Sequence, residues 1–191
     1  MLLALGPVQL DAADSVVIFG IAEAGGLEGR PRASTSCDLV WLRGTVTPEQ
    51  VSVARQLYDV PVGVDVDDVD LLPELAECGA VAAELRSPNP TSFTVALERG
   101  LTLWCTAADA KRAAAAGYEP SRIVVEAGAG PGVPGVTQYV DGPGGWGSVF
   151  AAVVSGARVV RTTDVRSVRR VVAVTDRLLA IDHRRHRTVT E

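Results

Sequence analysis

Eight short apolar runs, rich in valine and bounded by glycine, proline or aspartate, recur along this chain and restrict its fold more than any other feature. Short runs of this kind are typical of strands buried on both faces of a sheet. The predicted strands cover residues 15–22, 38–43, 60–66, 80–85, 101–106, 122–127, 135–140 and 157–162. The chain is therefore predicted to build its core from eight buried strands.

Helical patterns fill most of the intervals between these strands. Thr47 precedes Pro48, which predicts an N-cap followed by proline in the first helical turn. A second helix is predicted over residues 67–78, and a long amphipathic helix over residues 165–181. Four helical stretches are followed by glycine, the residue preferred just beyond a helix C-terminus: Gly79, Gly100, Gly117 and Gly156.

Strands that alternate with helices predict parallel βα units, and eight of them predict an α/β fold, the (β/α)8 TIM-type barrel. Residues 24–36 and 128–134 show no helical pattern, so we expect a trimmed barrel with one or two outer helices missing. A doubly wound open sheet is the alternative that the same alternation permits. We predict a single barrel domain over residues 1–182, followed by a basic C-terminal tail over residues 183–191.

Charge and composition exclude several classes of partner. The net charge is −5 and no basic stripe is present, so we expect no nucleic acid partner. The three cysteines are scattered and form no close pair, which predicts reduced thiols and a cytoplasmic protein. The apolar N-terminus lacks the basic region of a signal peptide, and no apolar run is long enough to span a membrane.

Charged residues stand where most of the predicted strands end, and active sites of such barrels lie at the carboxyl ends of the strands. These residues are Glu23, Arg43, Asp65, Glu84, Glu126, Asp141 and Arg161. They predict either a site for a polar ligand or metal, or a fixed network in which Arg43, Arg86 and Arg161 neutralise the acids. Both interpretations stay open at this stage.

Four other assignments depend on single residues. Asp65 is predicted to contact a ligand, and the alternative is that it caps the helix that follows. Asp164 is predicted to be the N-cap of the last helix. Trp41 and Trp104 are interpreted as core residues, and the alternative is that they form the floor of a pocket for a flat ring.

The segment over residues 156–180 resembles the last βα unit of dihydropteroate synthases and their pterin-binding relatives, in which the strand reads G-A-D-I-V-R-V-H-D-V. The matching positions are Gly156, Ala157, Arg161, Asp164 and Val165, with Thr163 in place of the histidine. Weaker matches follow in the family's order along nearly the whole chain. Asp65 stands at the aspartate of the P-I-S-V-D pattern, whereas Glu23 and Glu84 replace asparagines and Glu126 replaces an aspartate.

The resemblance implies a site for a pterin-like ligand, with Asp65, Glu84, Glu126, Arg161 and Glu23 as the binding residues. In this family the departing diphosphate is handled by Mg²⁺, an asparagine, a lysine and an arginine–histidine pair. This chain retains the arginine of that set but has no matching asparagine, lysine or histidine. Mg²⁺ is therefore the one cofactor implied, with Glu23 as its candidate ligand, and no catalytic residue is assigned.

These observations lead to three hypotheses. The first is a divergent pterin-binding protein, a pseudoenzyme that binds a pterin-like ligand or a protein partner. Relatives form homodimers through outer helices, which implies a similar role for Val171, Val174 and Leu178 of the last helix. The second is an active folate-biosynthesis transferase that condenses hydroxymethyl-dihydropterin diphosphate with p-aminobenzoate. The third is a metal-dependent barrel enzyme that uses the acidic residues at the strand ends.

Overall fold

The computed structural model of the chain describes residues 2–5, 8–11, 16–27, 37–126, 137–141 and 146–187. The strands in these ranges are β1 Leu2–Leu5, β2 Val8–Asp11, β3 Val17–Glu23, β4 Leu39–Arg43, β5 Val62–Val66, β6 Ala80–Leu85, β7 Thr102–Cys105, β8 Ile123–Glu126, β9 Thr137–Asp141 and β10 Val159–Thr162. The α-helices are α1 Pro48–Leu57, α2 Leu72–Glu77, α3 Pro90–Glu98, α4 Ala107–Ala115, α5 Trp146–Val154 and α6 Val165–Arg187. Short 3₁₀ turns cover Ala24–Gly26, Val69–Leu71 and Pro120–Arg122.

Strands β3 to β10 form a closed barrel in which every neighbouring pair is parallel, and β10 closes the ring against β3. All eight predicted strands are present, so the trimmed (β/α)8 barrel is confirmed. The alternative of a doubly wound open sheet is wrong, because such a sheet has two edge strands and this ring has none.

The N-terminal hairpin, β1 paired antiparallel with β2, was not predicted from the sequence. Leu3 and Leu5 are completely buried and join the cluster of side chains that fills the barrel interior. The hydroxyl of Thr102, the first residue of β7, donates a hydrogen bond to the carbonyl oxygen of Ala4. The hairpin therefore closes the end of the barrel at which the strands begin.

The barrel interior is packed with large side chains, and its cluster is distinct from the two clusters between the strands and the helices. The strands contribute Val17, Phe19, Leu39, Trp41, Ala82, Trp104, Val124, Tyr139 and Val159 to it. Side chains alternate along a strand, so the residue two positions after each of these core residues also points into the barrel. These residues lie at the end of the barrel where the strands finish. This end is called the mouth below.

Helix termini follow the sequence signals closely. The Thr47 hydroxyl accepts a hydrogen bond from the Gln50 backbone N–H, and the Gln50 side chain accepts one from the Thr47 N–H. Gly79, Gly100, Gly117 and Gly156 all have positive φ, as predicted for residues just beyond a helix. The helix predicted over residues 67–78 is shorter than expected. Pro73 has no N–H to donate to residue 69, so a 3₁₀ turn precedes α2.

The last helix is longer than predicted. It was expected to end at Ile181, but α6 continues to Arg187 and so crosses the predicted boundary between barrel and tail at residue 182. The tail residues 188–191 and the interval 128–134, where a helix is expected to be missing, lie outside the described residues. In the interval 24–36, the structure describes the 3₁₀ turn Ala24–Gly26 and residues up to 27.

The predicted N-cap of α6 is confirmed, because the Ser167 backbone N–H donates to Asp164 Oδ1 over 3.1 Å. Hydrogen bonds from Ser167, and to a smaller extent the charge of Arg170, hold the pKa of Asp164 below the usual value of an aspartate. A lowered pKa means that this carboxylate stabilises the fold above its unfolded-state pKa, and that the contribution is lost as the pH falls through its folded-state pKa.

We therefore expect the NMR shift of the Ser167 amide to titrate below the usual pKa of an aspartate. Asp164→Asn is the matched control, since it keeps a capping oxygen but has no carboxylate to protonate. A Ser167 titration that persists in this variant would contradict the assignment.

Candidate functional site

The mouth contains the charged residues that were predicted to lie at the strand ends. Glu23, Arg43 and Glu126 are the last residues of β3, β4 and β8, whereas Asp65, Glu84 and Arg161 are next to last in β5, β6 and β10. Asp141 ends β9, and its side chain lies outside the described residues. The strand register places Glu23 beside Arg43, Asp65 beside Glu84, and Arg161 beside Asp141.

Asp65 has a carboxylate that is bound on both oxygens by the protein itself. The indole Nε1–H of Trp41 donates to Oδ1 over 2.7 Å, while Arg86 Nη2 and the Gly44 backbone N–H lie 3.3 and 3.4 Å from Oδ2. Only 7% of Asp65 is exposed. The burial of this charge is therefore compensated by three donors.

The capping role considered for Asp65 is wrong, because the 3₁₀ turn after β5 is capped by Asp68. The Asp68 carboxylate accepts a hydrogen bond of 3.0 Å from the Asp70 backbone N–H. Asp65 is instead directed into the barrel, where it contacts Trp41.

Arg86 connects the mouth to the surface. Its Nη2 contacts Asp65 over 3.3 Å and its Nε contacts Asp67 over 3.2 Å, and the arginine side chain is half exposed. An ion pair exposed to this degree contributes at most about 1 kcal/mol to stability. It nevertheless supports the interpretation in which arginines neutralise the acids of the mouth.

Arg161 is buried, with 4% of its surface exposed. Its Nη1 donates to Glu84 Oε2, and its guanidinium carbon lies 5.2 Å from the ring centre of Trp41 and 5.1 Å from that of Tyr139. Both rings can stabilise the cation through their electron-rich faces. Two residues predicted to bind a ligand, Glu84 and Arg161, are thus brought together as a pair.

An aromatic cluster lies next to this pair. The Trp104 ring centre lies 4.9 Å from that of Trp41, 5.1 Å from Phe19 and 6.0 Å from Tyr139. Trp41 and Trp104 are completely buried, which confirms their interpretation as core residues. Among the described residues, Trp104 Nε1 has no hydrogen-bond acceptor.

Gly63 makes room for Trp41. A Cβ atom at Gly63 would lie 2.4 Å from Trp41 Cε3, a distance at which one side must move. We expect Gly63→Ala to lower the free energy of unfolding by about 1–3 kcal/mol, the usual cost of overpacking a core. Urea unfolding followed by circular dichroism measures this loss.

The control is the same substitution in a Trp41→Ala background, in which the new methyl group meets no indole. There we expect Gly63→Ala to be close to neutral. An equal loss in both backgrounds would show that Gly63 is required for another reason.

Glu23, Arg43 and Glu126 form the outer part of the mouth. Glu23 and Glu126 are exposed, and no carboxylate in the described part of the chain lies within 4 Å of the Arg43 guanidinium. The described residues also contain no group of three histidine, cysteine or acidic residues arranged to hold a metal ion. Mg²⁺ binding by Glu23 remains a prediction.

Cys105 is the last residue of β7. Burial, together with the charges of Asp109 and Glu84, raises the pKa of its thiol to about 12. A thiol of this pKa stays protonated near neutral pH and is a poor nucleophile. The raised pKa argues against Cys105 as a nucleophile, and Cys37, Cys78 and Cys105 form no disulfide.

Sequence reasoning missed Gly63, Phe19 and Tyr139, which shape the interior next to the mouth. A signal for Tyr139 was available, since it lies two residues before Asp141 on a strand and therefore on the same face. The need for glycine at position 63 depends on the indole of the neighbouring strand, and nothing near position 63 indicates it.

No family model matches the chain, and no curated protein matches it. Solved structures do resemble it, among them dihydropteroate synthase from Yersinia pestis, with a TM-score of 0.73, 16% identity and coverage of 94% of this chain and 99% of that one. The enzyme from Thermus thermophilus in complex with 4-aminobenzoate gives a TM-score of 0.72 at 17% identity, covering 94% and 99%. The Vibrio fischeri enzyme gives 0.71 at 12% identity, covering 94% and 98%. At such identities the likeness shows the fold alone.

In the described ranges, none of the helices combines the length and the apolar composition that a membrane-spanning helix requires.

Proposed function

We propose that this protein is a non-catalytic relative of dihydropteroate synthase that acts by binding a partner protein. The observation that carries the proposal is the set of hydrogen bonds to the carboxylate of Asp65, the residue that matches the aspartate of the family's P-I-S-V-D pattern. Its carboxylate is bound by Trp41 and Arg86 of the same chain, at 2.7 and 3.3 Å. A pterin ring that used this carboxylate would have to displace the indole from a well-packed interior.

The charges at the mouth also favour the absence of catalysis. Departure of a diphosphate needs positive charge on the developing anion. Arg161 is paired with Glu84, and the only lysine, Lys111, lies on the outer helix α4. His183 and His186 lie in the last turns of α6. Because α6 begins just after the mouth end of β10, these turns are at the end of the helix that is distant from the mouth. The mouth therefore lacks the lysine and the histidine of the family's set, and the arginine that matches the set is paired with Glu84.

A binding role is supported by the outer surface of the barrel. Val174 and Leu178 of α6, two of the residues implied in association by the family resemblance, are exposed, as are Trp146 and Phe150 of α5. Exposed apolar residues concentrated on two neighbouring helices are typical of a protein interaction surface. The partner is a different protein or a second copy, as in the predicted homodimer, and the molecular mass in solution distinguishes the two.

The direct test is calorimetric titration with hydroxymethyl-dihydropterin diphosphate and p-aminobenzoate, with and without Mg²⁺, while product is measured in the same samples. We expect neither product nor pterin binding, with the Yersinia pestis enzyme as the positive control. Turnover that disappears in Arg161→Gln would overturn the proposal in favour of the transferase.

Two further results would change the assignment. Pterin binding without turnover, abolished by Asp65→Asn, would make a pterin-like molecule the ligand in place of a protein. Heat that depends on Mg²⁺ and disappears in Glu23→Gln would instead support the metal-dependent alternative.

A further inference from the structure

The outer part of the mouth contains an arginine whose charge is not matched by the described part of the chain. Arg43, Arg86 and Arg161 were the arginines predicted to neutralise the acids of the mouth. Two of them do so, since Arg86 contacts Asp65 and Arg161 contacts Glu84. Arg43 does not, because none of the described carboxylates lies within 4 Å of its guanidinium. The guanidinium of Arg43 is therefore available to a ligand.

Glu23 lies directly beside Arg43 in the strand register, yet the two side chains form no ion pair. The Glu23 carboxylate lies over Gly44 instead, and its Oε2 is 4.0 Å from the position that a Cβ atom would take there. Glu23 is exposed and Arg43 is partly buried. One side of the mouth therefore presents a negative and a positive group next to each other, with neither neutralised by a described residue.

Glu126 contributes a second exposed carboxylate from the opposite side of the mouth. Strands β4 and β8 are four positions apart in the ring, so their last residues, Arg43 and Glu126, face each other. Each follows an interior side chain, Trp41 or Val124, by two positions and is therefore directed inward. Eight strands about 4.8 Å apart and tilted by about 36° enclose a ring about 15 Å across. Between two side chains that reach inward from opposite sides of such a ring, a short aliphatic chain fits.

The inner charges of the mouth are already matched by the chain. Arg86 contacts Asp65, and the ion pair between Arg161 and Glu84 crosses the mouth, because β10 and β6 are also four positions apart in the ring. Arg161 is buried, so this pair lies deeper than the last residues of the strands. Two carboxylates and one guanidinium thus remain for a ligand in the outer mouth, which could bind them without breaking either inner pair.

We infer that the outer mouth binds a basic α-amino acid of the lysine type. Such a ligand carries one carboxylate for Arg43, an α-ammonium group for the neighbouring Glu23, and a terminal ammonium group that reaches Glu126 across the mouth. A simple anion would be repelled by the two glutamates, and a diamine would leave the arginine without a partner. This inference goes beyond the proposed function and does not depend on it, since the partner-binding surface lies on the outer helices.

The test compares L-lysine with three ligands that each lack one of its charged groups. L-Norleucine lacks the terminal ammonium group, cadaverine lacks the carboxylate, and 6-aminohexanoate lacks the α-ammonium group. The amide resonance of Gly44, which lies next to Arg43 and Glu23, reports binding in NMR titrations of the full chain. We expect L-lysine to bind about five times more tightly than each of the others, the factor that one exposed ion pair contributes. Its affinity should fall as salt is raised, because exposed charges are screened.

Three variants assign each group of the ligand to one residue. Glu126→Gln should lower the affinity for L-lysine to that for L-norleucine and change the affinity for L-norleucine by less than about twofold. Arg43→Gln should have the same relation to cadaverine, and Glu23→Gln to 6-aminohexanoate. Glu98→Gln and Lys111→Gln, at exposed positions of α3 and α4, are the matched controls and should leave L-lysine binding within about twofold. Circular dichroism confirms that each variant is folded.

Several results would overturn the inference. They include an unchanged Gly44 resonance with L-lysine, equal affinity for all four ligands, and equal effects of the mouth variants and their controls. Tighter binding of inorganic phosphate or p-aminobenzoate, lost in Arg43→Gln, would make the outer mouth an anion site. Mg²⁺ that displaces L-lysine and requires Glu23 would make it a metal site. Phe150→Asp tests the partner surface of α5 and α6 separately and should leave L-lysine binding unchanged, so the two proposals fail independently.

Discussion

Trp41→Ala is expected to lower the free energy of unfolding by about 3–5 kcal/mol, the usual cost of deleting a large buried aromatic side chain. The Trp41 indole is completely buried and packs against Trp104 and the guanidinium of Arg161. Its removal leaves a cavity in the interior and takes one donor from the buried carboxylate of Asp65. Urea unfolding monitored by circular dichroism gives the difference in free energy.

The control Trp41→Phe separates packing from hydrogen bonding, since phenylalanine keeps an aromatic ring but has no N–H. We expect it to cost about 1–3 kcal/mol, less than alanine, because Asp65 keeps its other donors. A loss below about 1 kcal/mol for Trp41→Ala would mean that the indole does not fill the barrel.

Leu3→Ala is expected to lower the free energy of unfolding by about 2–5 kcal/mol, the usual cost of truncating a buried leucine. Leu3 is completely buried among interior side chains, and β1 is held to β7 by the hydrogen bond between Thr102 and Ala4. Thermal and urea unfolding measure the effect.

The control for Leu3 is Gln9→Ala on the neighbouring strand β2, where the side chain is exposed. We expect that change to stay within about 0.5 kcal/mol. If Leu3→Ala were as mild as Gln9→Ala, the hairpin would not close the barrel.

Much of the fold could be predicted because its signals are local. Strand β6 runs over the residues that its apolar pattern predicted, and Gly79 marks the end of the preceding helix. The hairpin was missed because its two strands are only four residues long, and because Leu3 and Leu5 of β1 are buried by the barrel interior and not by a neighbour in sequence. Helix α2 is shorter than predicted because Pro73 has no backbone N–H to donate. The spacing of apolar residues does not indicate this loss.

The site could be predicted in position but not in its contacts. Alternation along each strand indicates which residues are directed into the mouth, and it identified Asp65, Glu84 and Arg161. The bonds they form depend on strand register around the ring and join residues 24 and 77 positions apart in sequence. The sequence left a ligand site and a salt-bridge network open, and at these three residues the contacts are internal.

The indole N–H resonance of Trp41 tests the central claim most directly, because it reports whether the Asp65 carboxylate accepts a hydrogen bond from Trp41 of the same chain. The three tryptophans can be assigned in a heteronuclear NMR spectrum by single replacements with phenylalanine. We predict that the Trp41 N–H exchanges slowly with water and does not shift when hydroxymethyl-dihydropterin diphosphate, Mg²⁺ and p-aminobenzoate are added. Rapid exchange would contradict the claim that side chains of the same chain occupy the Asp65 carboxylate. A shift on addition of the pterin, together with formation of product, would contradict it as well.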